Sequence, residues 1–379
     1  MTTTPIQPKT TPYTDRQEKL ITILKANGFS SLILNACPSL TYLTGLHFHL
    51  SERPVLAFFM PDRNPLIFLP ELELEKLKNL PFLFESFPYG EDPKQWNAEF
   101  LRALKTATLG GKRNGVEPRQ LRYLEFQFLL NAASIVDFLP AEDMVSQLRM
   151  YKDENELVAM RKAAEIAENA LTATIPYINI GISEREIASE LTLQLFRAGS
   201  DPQLAFSPIV SSGPNSANPH STPSDRILTS GDLLVIDWGA CSLGYNSDIT
   251  RTFGIGNIEP EFSLIGKIVL EANTTGRKSA KPGITAEMVD KATRDVIVSA
   301  GYGKYFTHRT GHGLGMEGHE EPYIRANNPM LLEPGMTFTI EPGIYLPGRN
   351  GVRIEDDVVI TDTGAECLTS FPREVIQLV

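Results

Sequence analysis

A short segment of this chain occurs twice, and both copies carry an acidic residue at the same place. One copy, Gly231 to Gly239, reads GDLLVIDWG, and the other, Gly335 to Gly343, reads GMTFTIEPG, so that Asp237 aligns with Glu341. Upstream of these copies, GISEREI at residues 181–187 resembles GITAEMV at residues 283–289, and each is typical of a turn followed by the start of a helix. The repeat predicts a region built from two similar halves.

Each half also carries a second acidic residue downstream. Gly244-x-x-x-Asp248 in the first half matches Gly351-x-x-x-Glu355 in the second. We expect pseudo-twofold packing to bring four acids into one pocket: Asp237, Asp248, Glu341 and Glu355. Clustered, buried carboxylates oppose each other's ionisation unless a cation compensates them, so the pattern predicts a pair of metal ions. The alternative is that duplicated strands simply end in solvated acids.

Three of the six histidines, His308, His312 and His319, lie in the segment HRTGHGLGMEGHEEPY. Imidazole can ligate a metal or transfer a proton near neutral pH, and the clustering predicts such a function. The GxGxxG that begins at Gly313 is not read as a dinucleotide fingerprint, because no apolar strand precedes it and a proline follows it. We expect these glycines to allow close backbone approach.

Other catalytic signatures are absent from the sequence. It contains neither HExxH nor GxSxG, which excludes those zinc-protease and serine-hydrolase classes. A donor set of several carboxylates and one histidine favours Mn(II), and Co(II) or Zn(II) would also suit it.

Composition narrows the functional classes. The formal charge of −11, without a run of Lys and Arg, argues against a nucleic-acid partner. The start, MTTTPIQPKTTPYTD, lacks the pattern of a signal peptide, and no apolar stretch reaches about 18 residues. The three cysteines are too few and too far apart for a disulfide framework. We therefore expect a cytoplasmic protein without a membrane partner.

The 379 residues are long enough for two domains, which we place at 1–147 and 148–379. In the first, a capping pattern at Thr14 and Gln17 predicts a helix that ends near Asn27. Short apolar runs at residues 31–34, 55–60 and 66–69 alternate with stretches near 71–79, 95–105 and 119–132 that we expect to be helical. This mixture predicts an α/β domain. The second begins with YKDENELVAMRKAAEIAENAL, whose apolar residues recur at helical spacing.

These motifs resemble the creatinase and methionine aminopeptidase superfamily of "pita-bread" metallopeptidases, and within it the Xaa-Pro peptidases, prolidase and aminopeptidase P. The resemblance is carried by DWG at Asp237, SDITRT at Asp248, GHGLG at His312, HEEP at His319, EPG at Glu341 and GVRIED through Arg353 and Glu355. It covers residues 150–379 strongly and the first domain weakly, through YLTG at Tyr42 and RPVL at Arg53. It implies a creatinase-like N-terminal α/β domain followed by a pseudo-twofold pita-bread α+β catalytic domain.

The resemblance also implies a site. Asp237 and Asp248 would bind one divalent ion, His312 and Glu341 the other, with Asp248 and Glu355 shared between them. A bridging water or hydroxide would be the nucleophile, and Glu341 would receive its proton. The remaining roles would fall to His220 and His319 as oxyanion donors, Arg353 as the group that orients the ligands, Thr250 beside the ligands, and His308 as a pocket wall or loop support.

The expected activity is hydrolysis of the Xaa-Pro bond at a free N-terminus, acting on short peptides with proline in second position. Two alternatives are a non-catalytic peptide-binding module and a creatinase-like C–N hydrolase without metal. Retention of all five ligands disfavours both, because four acids without metal would repel one another. The resemblance further implies a homodimer, in which His47 or His49 would reach a neighbouring active site; the alternative is that both are ordinary surface-loop residues.

The length of peptide that the site accepts should depend on a basic residue near it. A dipeptide presents a free carboxylate directly after proline, and an arginine or lysine would bind that carboxylate. Here HEEP is followed by Tyr323, and Arg325 comes two positions later. If Arg325 does not turn inward, we expect Xaa-Pro dipeptides and Xaa-Pro-Xaa tripeptides to be cleaved with efficiencies within about tenfold.

Overall fold

A computed structural model describes residues 11–107, 113–132 and 137–379 of the chain. The chain divides into two compact units, Met1–Arg149 and Met150–Val379. The domain boundary that the sequence suggests, between residues 147 and 148, stays a prediction.

The first unit is a mixed α/β domain. Its elements are α1 (Pro12–Ala26), β1 (Ser31–Leu34), α2 (Pro38–Thr44), β2 (Leu56–Phe59), β3 (Leu66–Pro70), β4 (Glu85–Tyr89), α3 (Pro93–Ala107), β5 (Arg113–Val116), α4 (Tyr123–Ala132), β6 (Asp137–Pro140) and α5 (Glu142–Arg149). The strands form one sheet in the order β4-β3-β2-β1-β5-β6. Both parallel and antiparallel pairs occur in it, which confirms the predicted class.

Helix α1 begins earlier than the sequence suggests. Its N-cap is Thr11, whose side chain accepts from the backbone N–H of Thr14, and the pair forms the capping box. The predicted box at Thr14 and Gln17 is therefore wrong. Pro12 explains the shift, because its fixed φ and missing N–H suit the first helical position and place the cap just before it. Gln17 instead donates to the carbonyl of Leu43.

The second unit contains the repeat. Its elements are α6 (Glu154–Thr174), α7 (Glu184–Ala198), β7 (Ile209–Ser212), β8 (Leu233–Trp238), β9 (Cys241–Ser242), β10 (Tyr245–Asn246), β11 (Ile249–Ile255), α8 (Pro260–Ser279), α9 (Ala286–Ser299), β12 (Gly311–Gly313), β13 (Glu320–Ile324), β14 (Thr337–Ile340), β15 (Gly343–Tyr345), β16 (Gly351–Arg353), β17 (Asp356–Ile360), β18 (Ala365–Cys367) and β19 (Ile376–Leu378). Two main sheets run β19-β11-β8-β7 and β13-β12-β14-β17-β18. Hairpins β9-β10 and β15-β16 complete the unit.

Backbone geometry repeats between the two halves. Gly181 and Gly283 both have positive φ, and their N–H groups donate to the carbonyls of Leu228 and Leu332 respectively. The antiparallel pair β8–β11 in the first half corresponds to β14–β17 in the second. Each half packs its own pair of helices, α6 with α7 and α8 with α9. The structure thus confirms the pseudo-twofold pita-bread architecture.

Each half also has its own apolar core. In the first half, helices α6 and α7 cover the inner face of β8 and β11, where Trp238 is fully buried and donates from Nε1 to the carbonyl of Ala167. In the second half, α9 covers β14 and β17 around Phe338 and Ile340. These cores hold the strands rigidly, so the residues at the strand ends have fixed positions.

None of the helices in the described ranges combines the length and apolar character that a bilayer crossing demands. The three cysteines, Cys37, Cys241 and Cys367, are free thiols.

Candidate metal centre

The four acids of the repeat lie at strand ends and face one cavity. Asp237 is near the end of β8 and Glu341 directly follows β14, whereas Asp248 and Glu355 directly precede β11 and β17. A backbone hydrogen bond of 3.1 Å from the N–H of Glu355 to the carbonyl of Thr250 joins the two halves at this point. The cavity has a volume of about 640 Å³, and all four acids line it. The predicted convergence is therefore present in the structure.

His312 lies on the central part of the second sheet, in β12, between β13 and β14. Its Nε2 is 3.6 Å from Asp248 Oδ2 and 3.5 Å from Glu341 Oε1. Its Nδ1 lies 3.1 Å from the carbonyl of Gly313, which can only accept, so Nδ1 carries the proton. The lone pair of Nε2 therefore points at the acids, which is the arrangement of a metal-ligating histidine.

The donor set fits a pair of divalent cations. Ligand atoms of Asp248, His312 and Glu355 all lie within 4.8 Å of one another. Oδ1 of Asp237 is buried and has no hydrogen-bond partner. A buried carboxylate oxygen without a donor is costly, and a cation bound to it removes that cost.

The pKa values of the buried acids also favour a bound cation. Burial, with the neighbouring carboxylates adding to it, raises the pKa of Asp248 and of Glu355 well above the usual range. Burial likewise raises the pKa of Glu341 to about 8. Without a cation Glu341 is therefore largely protonated at neutral pH, and a bound metal would displace that proton.

Arg353 and Thr250 hold the acids in place. Arg353 donates from Nη2 to Asp237 Oδ2 at 2.6 Å and from Nε to Thr250 Oγ1 at 3.0 Å. Thr250 in turn donates its hydroxyl to Glu355 Oε2 at 2.6 Å. Arg353 therefore links an acid of the first half, through Thr250, to an acid of the second.

His308 has both ring nitrogens occupied. Its Nδ1 lies 2.7 Å from the carbonyl of Arg309, and its Nε2 lies 2.9 Å from the Tyr345 hydroxyl. Burial lowers the pKa of His308 to about 4 and raises that of Tyr345 to about 12. A neutral His308 thus accepts from a neutral phenol, and both side chains form a fixed wall of the cavity.

His220 and His319 are exposed residues that line the same cavity. The rings of His319 and His312 are 3.9 Å apart between centres, so His319 stands beside the ligand cluster. Both histidines therefore line the same cavity as the four acids, and their expected contact with a substrate stays a prediction. By contrast, His47 and His49 are exposed loop residues of the first unit.

The glycines of the GxGxxG segment differ in how much space surrounds them. A Cβ added to Gly313 would lie 2.2 Å from the backbone oxygen of Glu321, so β12 needs glycine there to pair closely with β13. At Gly318 an added Cβ would meet nothing within 4 Å. Close backbone approach is therefore confirmed for Gly313, and no helix begins in this segment.

Comparison with known proteins identifies the family. Residues 158–362 match the model of metallopeptidase family M24, and residues 16–151 match that of the creatinase/prolidase N-terminal domain. The chain belongs to metallopeptidase family M24. It is therefore an enzyme of the metallopeptidase class, a class that uses divalent metal ions, and the family resemblance in its motifs is confirmed.

Curated and solved relatives of this M24 metallopeptidase match over almost its full length. A Xaa-Pro dipeptidase of Pyrococcus horikoshii is 37% identical over 96% of this chain and 99% of the relative. The structure of a prolidase from Thermococcus sibiricus is 35% identical, with a TM-score of 0.90, over 97% of this chain and 100% of that one. The structure of an X-Pro aminopeptidase from Thermotoga maritima is 32% identical, with a TM-score of 0.83, over 96% of this chain and 99% of that one.

Several residues around the M24 site escaped the sequence analysis. Arg251 donates from Nη1 to the carbonyls of Glu355 and Thr250 at 2.5 and 2.8 Å, and Asp357 accepts from the N–H of Asp248 at 3.0 Å. The motifs SDITRT and GVRIEDD contain both residues, but the contacts of Arg251 with Glu355 and of Asp357 with Asp248 join positions 104 and 109 apart in the chain. Further cavity residues that carried no sequence signal are Phe206, Ser207, Ile209, Pro219 and Arg309.

Proposed function

We propose that this M24 metallopeptidase hydrolyses the bond between a free N-terminal residue and a following proline, using two divalent metal ions. The observation that carries the proposal is the convergence of four acids and one histidine, drawn from both halves of the repeat, on one cavity. The relatives named Xaa-Pro dipeptidase, prolidase and X-Pro aminopeptidase support the substrate class.

The proposed ligands are the five that the motifs suggest: Asp237 and Asp248 for one ion, His312 and Glu341 for the other, and Asp248 and Glu355 shared. When bound, such a pair of ions supplies Lewis-acid activation of water and of the scissile carbonyl at neutral pH. Mn(II) is the proposed metal because oxygen donors dominate the set, and Co(II) or Zn(II) would also bind.

Protein side chains supply the remaining chemistry. Glu341 has a carboxylate at the cavity wall, so it is the proposed acceptor of the proton that the attacking water releases. His319 and His220 would donate to the carbonyl oxygen as negative charge develops on it. Arg353 keeps Asp237 and, through Thr250, Glu355 in position while the reaction proceeds.

Recognition of proline calls for an apolar surface, because its ring fixes φ and its nitrogen has no hydrogen to donate. Phe206, Ile209 and Pro219 line the same cavity as the acids. We propose that the proline ring of the substrate packs against this apolar wall.

The test is to incubate purified protein with an Xaa-Pro dipeptide and with the matched Xaa-Ala dipeptide, before and after removal of metal by EDTA. Mass spectrometry of the products should show cleavage of the proline substrate alone, loss of activity with EDTA, and recovery highest with Mn(II). Activity that survives complete metal removal, or equal cleavage of both dipeptides, would contradict the proposal.

Three further expectations stay proposals. We place the catalytic domain at 148–379, the protein in the cytoplasm, and the assembly as a homodimer. Light scattering of the purified protein tests the last of these, and a monomer at working concentration would overturn it.

A further inference from the structure

Glu320, the residue that follows His319, forms a buried ion pair with Lys152. The Lys152 Nζ lies 2.5 Å from Glu320 Oε1, and the two side chains are only 1% and 9% exposed. Charges lose hydration free energy when they are buried, and apolar side chains of similar volume often replace such a pair without loss of stability. The pair is therefore better explained by the position that it gives to the neighbouring chain.

The backbone of Lys152 is held on both sides. Its N–H donates to the carbonyl of Gly335 at 2.9 Å, and Tyr151 forms an antiparallel bridge with Met336. The residue after the lysine, Asp153, is the N-cap of α6 and part of a capping box. Lys152 therefore presents its ammonium group from a fixed backbone.

Glu320 is the first residue of β13, and this strand places it beside the proposed metal centre. In the pairing of β12 with β13, Glu320 lies opposite Gly313, the neighbour of the proposed ligand His312. A Cβ added to Gly315 would lie 2.7 Å from Glu320 Oε1 and 3.0 Å from Lys152 Cε, so glycine at this position leaves room for the ion pair. The ion pair thus fixes the first residue of β13 next to the ligand cluster.

The residue before His319 offers no comparable anchor. It is Gly318, where an added Cβ would meet nothing within 4 Å, and His319 itself is exposed. The imidazole nevertheless has a defined orientation. Arg309 donates from Nη2 to its Nδ1 at 3.1 Å, so the neutral ring carries its proton on Nε2. A donor to a developing oxyanion must be in place before the reaction, since misplacement by about 1 Å can cost about 100-fold in rate.

We propose that the Lys152–Glu320 ion pair positions His319. It holds the first residue of β13 so that the Nε2–H group of His319 is directed at the place of the substrate carbonyl. The inference rests on the proposed function, in which His319 donates to the carbonyl oxygen. Neither Lys152 nor Glu320 is among the residues that line the cavity, so the pair acts through the histidine and not by contact with substrate.

The test removes both charges together, because a single substitution would leave one buried charge without its partner and would destabilise the fold. The double variant carries Lys152→Met and Glu320→Gln. With Mn(II) bound, we expect kcat on an Xaa-Pro dipeptide to fall by about 10- to 100-fold, part of the loss that follows removal of an oxyanion donor. KM and bound metal should change by less than about threefold, because neither binding step needs the histidine.

A control and a coupling measurement separate positioning from general destabilisation. The control is Glu125→Gln, which changes a fully buried glutamate that is ion-paired with Arg122 in the first unit. It should leave kcat unchanged even where the temperature of unfolding falls. In a His319→Ala background, the double substitution should lower kcat by less than about twofold further, because no imidazole is left to position.

A second readout depends on neither metal nor turnover. In metal-free protein with isotopically labelled histidine, the ring signals of His319 can be assigned by their loss from His319→Ala. NMR of the wild type should show one tautomer, protonated on Nε2. In the double variant these signals should broaden or move towards the average of the two tautomers, whereas the signals of His47 and His49 should not change.

Each possible result decides the proposal. Unchanged kcat or unchanged His319 signals in the double variant would overturn it, and so would an undiminished loss of kcat in the His319→Ala background. Loss of metal would show that the pair acts through His312, and failure to fold would show that it serves folding as such; either result also overturns the proposal. A wild-type enzyme that cleaves no Xaa-Pro substrate with any metal overturns the proposed function, and the NMR comparison then still decides whether the pair fixes the imidazole.

Discussion

The two halves of the catalytic unit share a scaffold but differ in the loops they attach to it. In both, a helix starts after a glycine of positive φ, and an apolar strand leads to an acid of the cavity, Asp237 in the first half and Glu341 in the second. In both, the next acid directly precedes the partner strand, as Asp248 and Glu355 show. The duplicated part of the chain therefore supplies the acids of the metal centre.

The first half holds its cavity loop with a buried carboxylate. Glu184, the first residue of α7, accepts from the backbone and hydroxyl of Ser212, from Asn215, and from the backbone and hydroxyl of Ser224. These donors bracket the segment that carries His220. At the start of α9, the equivalent residue of the second half is Ala286, which has no such capacity.

The second half anchors its loop in a different way. Asp290 and Arg294, one turn apart on α9, form an ion pair of 2.9 Å and hold the segment from Phe306 to Thr310. This segment carries His308 and Arg309. The difference between the halves indicates that duplication built a symmetric metal-binding frame, whereas unrelated loop anchors gave each side its own polar groups.

The largest effect should come from the acids that both halves share. We expect Asp248→Asn and Glu355→Gln each to remove turnover and to lower bound metal, because each substitution takes a ligand oxygen and a negative charge from the centre. Elemental analysis and peptide assays would measure both losses. Asp362→Asn, which changes an exposed acid near the end of β17, is the control. Full metal occupancy with a normal rate in either variant would contradict the ligand assignment.

The second prediction concerns His319, a histidine that lies in the second half of the catalytic unit. His319→Ala should lower kcat by roughly 10² to 10³, the scale of losing one donor to a developing oxyanion, while metal content stays the same. The control is His47→Ala, an exposed loop histidine of the first unit. Loss of metal from His319→Ala would make this histidine a ligand and change the comparison of the halves.

The pH dependence of metal binding should involve Glu341, the acid that follows β14 in the second half. Asp237 is paired with Arg353, whereas burial raises the pKa of Glu341 to about 8 in the absence of metal. Below that pH a proton on Glu341 competes with the metal, so affinity should fall by about tenfold per pH unit on acidification. Calorimetry in two buffers of different ionisation enthalpy should detect proton release near pH 7. Metal binding that releases no proton there would contradict this.

The loop anchor of the first half should give the smallest effect. Glu184→Gln turns an acceptor of several hydrogen bonds into a group that presents two N–H donors to other donors. We expect the free energy of unfolding to fall by about 1 to 3 kcal/mol, with the metal content retained. Glu190→Gln, a partly exposed glutamate on the same helix, should change it by less than about 0.5 kcal/mol. Equal effects of the two substitutions would show that the buried network is not what holds the loop.

Many strands and helix starts could be predicted from the sequence, because the patterns that indicate them involve residues close together in the chain. A strand reveals itself by a short apolar run, and a helix by the spacing of its apolar residues. The runs at residues 31–34, 55–60 and 66–69 correspond to β1, β2 and β3 within one residue. The helix starts after Gly181 and Gly283 were likewise visible in the repeat, and Ser183 and Thr285 are the N-caps.

Sequence patterns gave wrong predictions for the start of one helix and for the winding of another. The pattern at Thr14 and Gln17 was a valid capping pair in isolation, but Thr11 followed by Pro12 was the stronger start. The stretch at residues 71–79, expected to be helical, forms a 3₁₀ helix over Glu71–Leu77. Both differences concern the ends or the winding of elements, which depend on which backbone groups find partners.

The sequence by itself determined the repeat, the four acids and the histidine cluster, because strand ends and motif spacing are properties of neighbouring residues. Only the tertiary structure decided which charged groups meet across the fold. Arg251 reaches Glu355 more than a hundred positions away, and Arg309 rather than Arg325 enters the cavity. The physical reason is that the direction of a long side chain depends on the packing of the segments around it, and those segments are distant in the chain.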